Sequence, residues 1–148
     1  MTNIVKKTAI AFVTTIITAP IALMGMASAA DVEVELTGLR TGGDLYVALQ
    51  TQDQFMQQDA AAGEIIKDVT EDSYTLTFKD VDPGQYALMV WHDIDGDGVF
   101  DVNEYGAPID GWAAINGAEL KGPPSFDAVS FTLGKKNISL SEAIIYFF

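Results

Sequence analysis

The sequence predicts an all-β chain folded as a single β-sandwich of about seven strands. Three observations carry that reading. Several short runs alternate apolar and polar residues, Gly, Pro and Asp clusters separate them, and no stretch has the periodicity of an amphipathic helix. Regularly spaced short strands with turn signals between them are the pattern of a sandwich.

The first strand is Asp31 to Leu36, where Val32, Val34 and Leu36 alternate with Asp31, Glu33 and Glu35. Gly42-Gly43 marks a turn, and Leu45 to Leu49 follows, so these two runs read as a hairpin. Gln50 to Gly63 is polar and reads as a loop with room for one helical turn. Glu64 to Val69 is a short, weak strand. Tyr74, Leu76 and Phe78 share one face of the next, and Asp82-Pro83-Gly84 turns the chain. Gln85 to His92 is apolar on both faces, as expected of a central strand covered on both sides. Tyr105 to Ser125 is rich in Gly and Pro and reads as a long ordered loop, the place to look for a ligand. Val129 to Leu133 and Ile138 to Phe148 supply the last strands.

Residues 1–29 are set apart as a secretory signal peptide. Lys6 and Lys7 form the positive region, Thr8 to Met24 is uncharged and apolar, and Ala27-Ser28-Ala29 is a small-residue cleavage site. Pro20 and several threonines disfavour the rival reading, an uncleaved membrane anchor. With no cysteine in the chain, a lipid-anchored form has no residue to acylate. The expected location is the periplasm or the exterior. Residues 30–148 form one domain, long enough for its own core.

Without the two leader lysines, 6 basic residues face 21 acidic ones, a balance of −15. Such a charge repels nucleic acid and anionic membranes and suits cations. The absence of cysteine removes thiol catalysis, thiolate zinc and iron–sulfur clusters. A single histidine removes multi-histidine metal sites.

One stretch carries specific chemistry. Asp93, Asp95, Asp97, Gly98, Val99, Asp101 and Glu104 match the twelve-residue spacing of a calcium loop. The three alternate aspartates turn inward, Gly98 allows the bend, and the Val99 carbonyl supplies a backbone ligand. Asp101 binds directly or through water, and Glu104 reaches back with two oxygens. Phe100 is expected to anchor the loop to the core. The rival reading is a solvated acidic turn. An EF-hand is excluded, because a strand enters the loop and Tyr105-Gly106-Ala107-Pro108 leaves it. A single structural Ca2+ is the expected cofactor; magnesium resists full dehydration and suits an all-protein cage less well.

Around this loop, His92, Asp110, Trp112 and Asn116 are candidates for contact with a further ligand. For His92, a hydrogen-bonded place at a strand end is favoured over a role as base, because no nucleophile stands at a diagnostic spacing. Trp112, in the Gly-rich loop, could stack a ligand; Trp91, in mid-strand, belongs to the core. No catalytic residue is identified.

Five segments together resemble the DUF2141 family of exported bacterial proteins. They are Leu36 to Arg40, Pro83 to Ala87, His92 to Gly98, Gly106 to Gly111 and Gly122 to Ala128. The resemblance implies a small prealbumin-like or immunoglobulin-like sandwich and brings no catalytic residues. The Gly-Gln-Tyr to Asp-Gly-Asp-Gly run is also similar to calcium-bearing repeats of bacterial surface adhesins, over part of the chain only. The expected role is an exported binding or accessory module with an unidentified small-molecule, glycan or protein partner. The alternatives are a hydrolase-like enzyme with a site around His92 and residues 105–125, and an adhesin-type structural module.

Overall fold

A computed structural model describes residues 28–148, so the expected leader falls almost wholly outside the described residues. Among the described residues, eight strands form two sheets. They are β1 (Ala30–Thr37), β2 (Asp44–Gln50), β3 (Ala62–Ile66), β4 (Ser73–Val81), β5 (Gly84–Asp93), β6 (Gly111–Ala114), β7 (Ser130–Leu133) and β8 (Ile138–Ala143). One sheet runs β4-β1-β8, with β1 and β8 parallel. The other runs β3-β2-β5-β6, and β7 pairs with the first half of β5. No helix among the described residues is long and apolar enough to cross a membrane.

Alternation places the core. Val32, Val34 and Leu36 of β1 face Leu45, Val47 and Leu49 of β2 across the sandwich, and all are buried. β5 is central, as its two apolar faces require. Tyr86, Leu88 and Val90 enter the main core. On the opposite face Ala87 and Met89 join a smaller cluster with Phe55, Trp112, Ala114, Leu120, Phe126 and Val129. The helical turn α1 (Phe126–Val129) closes over that cluster.

Two local expectations are corrected. β1 and β2 do not form a hairpin, because each belongs to a different sheet. Residues 38–43 instead cross between the sheets. The crossing is held by Leu39 N donating to Asp72 O, Gly42 N to Val69 O and Val69 N to Gly43 O, at 3.0, 2.7 and 3.0 Å. Six residues suffice to span the roughly 10 Å between packed sheets. Gly43 must be glycine there. Its φ is +67°, and a Cβ would stand 2.0 Å from the Asp93 carbonyl oxygen. The second correction is β6, a strand inside the stretch read as loop. It pairs Trp112 with Trp91 and Gly111 with His92. It also bridges Ile145 through reciprocal backbone bonds, which joins the two sheets along one side.

The polar loop after β2 contains the expected helical turn, at Gln52–Gln54. It is laced by the buried Gln50 side chain. Gln50 Nε2 donates to the carbonyls of Gln57 and Asp59 at 2.8 and 3.0 Å, and its Oε1 accepts from Met56 N.

His92 is fully buried on the inner face of β5. Its Nε2 lies 2.7 Å from the Gly42 carbonyl, and its Nδ1 meets the Tyr146 hydroxyl. A carbonyl only accepts, so the hydrogen sits on Nε2 and Nδ1 accepts from Tyr146. The same hydroxyl accepts from Arg40 N at 3.1 Å, and the Arg40 guanidinium lies 4.2 Å over the Tyr146 ring. One imidazole thus ties β5 to the crossing segment and to the C-terminal stretch. Replacing Tyr146 by Phe leaves Nδ1 buried without a donor. Tyr146→Phe is therefore expected to lower stability by about 1–3 kcal/mol in urea titrations. An unchanged midpoint would show that the hydrogen bond is not what holds this end of the chain.

Candidate functional site

The acidic loop begins where β5 ends. Asp93 is buried on the outer face, while Asp95 and Asp97 are exposed. Each offers a carboxylate oxygen, and these three oxygens all lie within 4.8 Å of one another. Backbone hydrogens hold the cluster. Asp93 accepts from Gly96 N through one oxygen and from Gly98 N through the other, both at 2.9 Å. Asp95 accepts from Asp97 N at 3.3 Å, and Asp97 from Val99 N at 2.8 Å. These are local side-chain turns of the kind aspartate favours. Gly96 and Gly98 take φ of +72° and +78°, which lets the chain wind tightly enough for the bonds to close.

Asp101 and Glu104 stand outside that triad. Residues 101–109 form a small hairpin instead. Ile109 N donates to Asp101 O, Asn103 N to Ala107 O, and Val102 bridges Pro108. The Asn103 side chain accepts from Tyr105 N and Ala107 N at 2.9 and 3.0 Å and so shapes the turn that carries Glu104. Glu104 is exposed there. Asp101 is half-buried. Burial first, and then the charges of Asp97, Asp95, Asp110 and Asp93, push its carboxyl above the usual range. Three carboxylates this close, with a fourth feeling their field, are an arrangement that a divalent cation relieves.

Asp110 is almost fully buried. One of its oxygens accepts from Trp91 Nε1 at 2.9 Å and from Asp101 N at 3.1 Å. It braces the hairpin against β5 and faces inward, away from solvent. His92 projects from the other face of β5, so the two residues are not brought together around a common cavity. Trp112 is half-buried against the outer cluster, and Gly117 packs so closely that a Cβ would lie 3.2 Å from its ring. Its indole nitrogen is buried without a hydrogen-bond partner. Asn116 is exposed in a left-handed conformation, with its backbone N donating to Glu142 at 3.3 Å. Phe100 does not enter the core. It is 45% exposed and touches the edge of Trp91, with ring centroids 6.1 Å apart.

Three site features escaped the sequence reading. Gly43 fits against the Asp93 carbonyl, Asn103 builds the turn, and Asp110 braces the loop. The signal for Asn103 was present, since Asn followed by Gly three residues on is turn chemistry. The partners of Asp110 depend on folding at a distance.

Fold and site together define a class, a two-sheet β-sandwich whose central strand opens into a preformed acidic loop. The chain belongs to the DUF2141 family, described as an uncharacterized protein conserved in bacteria, whose model matches residues 34–141. The match begins within β1 and ends within β8, so it takes in all the intervening strands and the acidic loop. No curated protein and no solved structure gives a significant match.

The raised Asp101 carboxyl sets a pH dependence in the cation-free protein. Its protonated form is favoured by folding, so its contribution is present below the unfolded value and is lost as pH rises through the folded one. Asp31 and Asp44 run the opposite way. Hydrogen bonds from Asp80 N and Lys79 lower the first and a hydrogen bond from Lys67 lowers the second, and their stabilisation is lost as pH falls. In chelator at neutral pH, Asp101→Asn is expected to melt above wild type. The difference should close as pH falls through the carboxylate range. A variant that melts lower at neutral pH would show that Asp101 is not repelled by its neighbours.

Proposed function

We propose that this protein is an exported binding or accessory module whose acidic loop holds one structural calcium ion. The observation that carries the reading is the triad Asp93, Asp95 and Asp97, converged within 4.8 Å and already oriented by backbone hydrogens. A loop organised before the ion arrives loses less entropy on binding. Calcium fits better than magnesium because the donors are carboxylates and carbonyls on a winding chain, which suits a flexible coordination shell. In this reading the Val99 carbonyl, water and the outer carboxylates Asp101 and Glu104 supply the remaining donors. A lone exposed loop of this kind belongs to the weak range of roughly 10⁻⁴ to 10⁻³ M seen in extracellular modules.

The ion acts as a clamp in this reading. It neutralises the repulsion within the triad and fixes how β5 passes into the hairpin. Export rests on the leader-like order of residues 1–29 and on the acidic, cysteine-free composition.

Two measurements test the proposal. Millimolar calcium is expected to raise the melting temperature relative to chelator, and Asp95→Asn with Asp97→Asn is expected to abolish the rise. An unchanged melting temperature in wild type would end the calcium reading. Calorimetric titration then ranks the outer ligands. Asp101 lies in the field of the triad and Glu104 sits on the hairpin turn, so Asp101→Asn should cost about tenfold in affinity or more and Glu104→Gln less. The reverse order would mean that the hairpin opens to bring Glu104 in.

A further inference from the structure

The outer face of the five-stranded sheet carries a connected apolar ridge. Strand register sets Ile65 beside Tyr46 and Tyr46 beside Trp91. The Tyr46 and Trp91 rings stack at 4.6 Å, 16° from parallel, and Phe100 meets Trp91 edge-on. The row continues to Trp112, where the smaller cluster covers it. Toward β3 and the hairpin it is open, with Ile65 52% and Phe100 45% exposed. Exposed apolar residues scattered singly are ordinary; a row linked by register and ring contact is the kind of patch that calls for a partner.

One long side of the ridge is acidic. Asp44 and Asp93 are paired on the same face, one step beyond Tyr46 and Trp91. Asp95 and Asp97 extend this side into solvent. Lys67, 5.6 Å over the Tyr46 ring, pairs with Asp44, and among the described residues the other three carboxylates have no basic partner.

That charge selects the occupant. The chain carries −13 overall, so a second copy or an anionic lipid surface would be repelled. We propose that the ridge formed by Ile65, Tyr46, Trp91 and Phe100 docks a cationic, apolar segment of a partner protein. Its aliphatic or aromatic side chains lie along the ridge, and its basic side chains meet Asp95 and Asp97. The proposal goes beyond the calcium clamp and does not require it.

The test uses the full domain and a fluorescent fourteen-residue amphipathic peptide of leucine and lysine, in chelator and in millimolar calcium. Three controls accompany it: the peptide with serine for leucine, the peptide with glutamate for lysine, and phosphatidylglycerol vesicles. The leucine–lysine peptide is expected to bind at least about tenfold tighter than either peptide control, with affinity falling as salt rises. Ile65→Ser with Phe100→Ser is expected to weaken it by at least about tenfold. Both side chains are exposed, and an unchanged melting temperature verifies that the double variant folds. Equal binding of the serine peptide, an unaffected double variant, capture by the vesicles, or self-association in sedimentation would each overturn the proposal. If calcium leaves both the melting temperature and the peptide affinity unchanged, the clamp fails while the docking result stands by itself.

Discussion

Three consecutive residues at the end of β5 hold this molecule together, and they do so because a strand alternates. Trp91 leaves the outer face and donates to Asp110. His92 leaves the inner face and joins Gly42 to Tyr146. Asp93 leaves the outer face again and gathers Gly96 and Gly98. Burying an imidazole or a carboxylate without partners is costly, so each contact is close to obligatory once β5 is central. These bonds tie the crossing segment, the hairpin brace and the acidic loop to β5.

Much of the sandwich was legible from alternation alone. Val32, Val34 and Leu36 are buried with polar neighbours facing out, and β5 is covered on both faces as its composition requires. What alternation does not contain is which strand lies beside which. Gly42-Gly43 suits a hairpin and a crossover equally, because glycine supplies the same positive φ to both. In the crossover Gly43 packs against Asp93, 50 residues away in sequence, a contact that local pattern does not contain. β6 was hidden for a related reason. Gly111-Trp112-Ala113-Ala114 has no clear period, and its strand character comes from pairing with β5 and Ile145.

The acidic loop divides in the same way. The triad was readable because aspartates at alternate positions with glycines between them satisfy their own backbone, a contest decided within six residues. The second half follows longer rules. Asn103 organises a tight turn, Asp110 anchors Asp101 N, and Val102 bridges Pro108. These bonds build the hairpin on which Glu104 sits, exposed and outside the triad. Phe100 was expected to anchor the loop to the core. Here the space beneath it is already filled by the stacked pair Tyr46 and Trp91, so it rests on their edge.

That placement joins the two surfaces of interest. Asp93 and Trp91 are two residues apart on one face of one strand, so a cation held by Asp93 would lie one step along the sheet from the aromatic ridge. Phe100 follows the triad by three residues and touches Trp91. Fixing the carboxylates therefore fixes the start of the segment that carries Phe100, while Asp110 fixes its other end through Asp101. A residue exposed on a loose loop would dilute the ridge over many positions. Held between two carboxylate anchors, it extends a rigid sheet face by one more ring. The acidic loop and the apolar surface are thus joined by a short run of backbone, from Asp97 to Phe100.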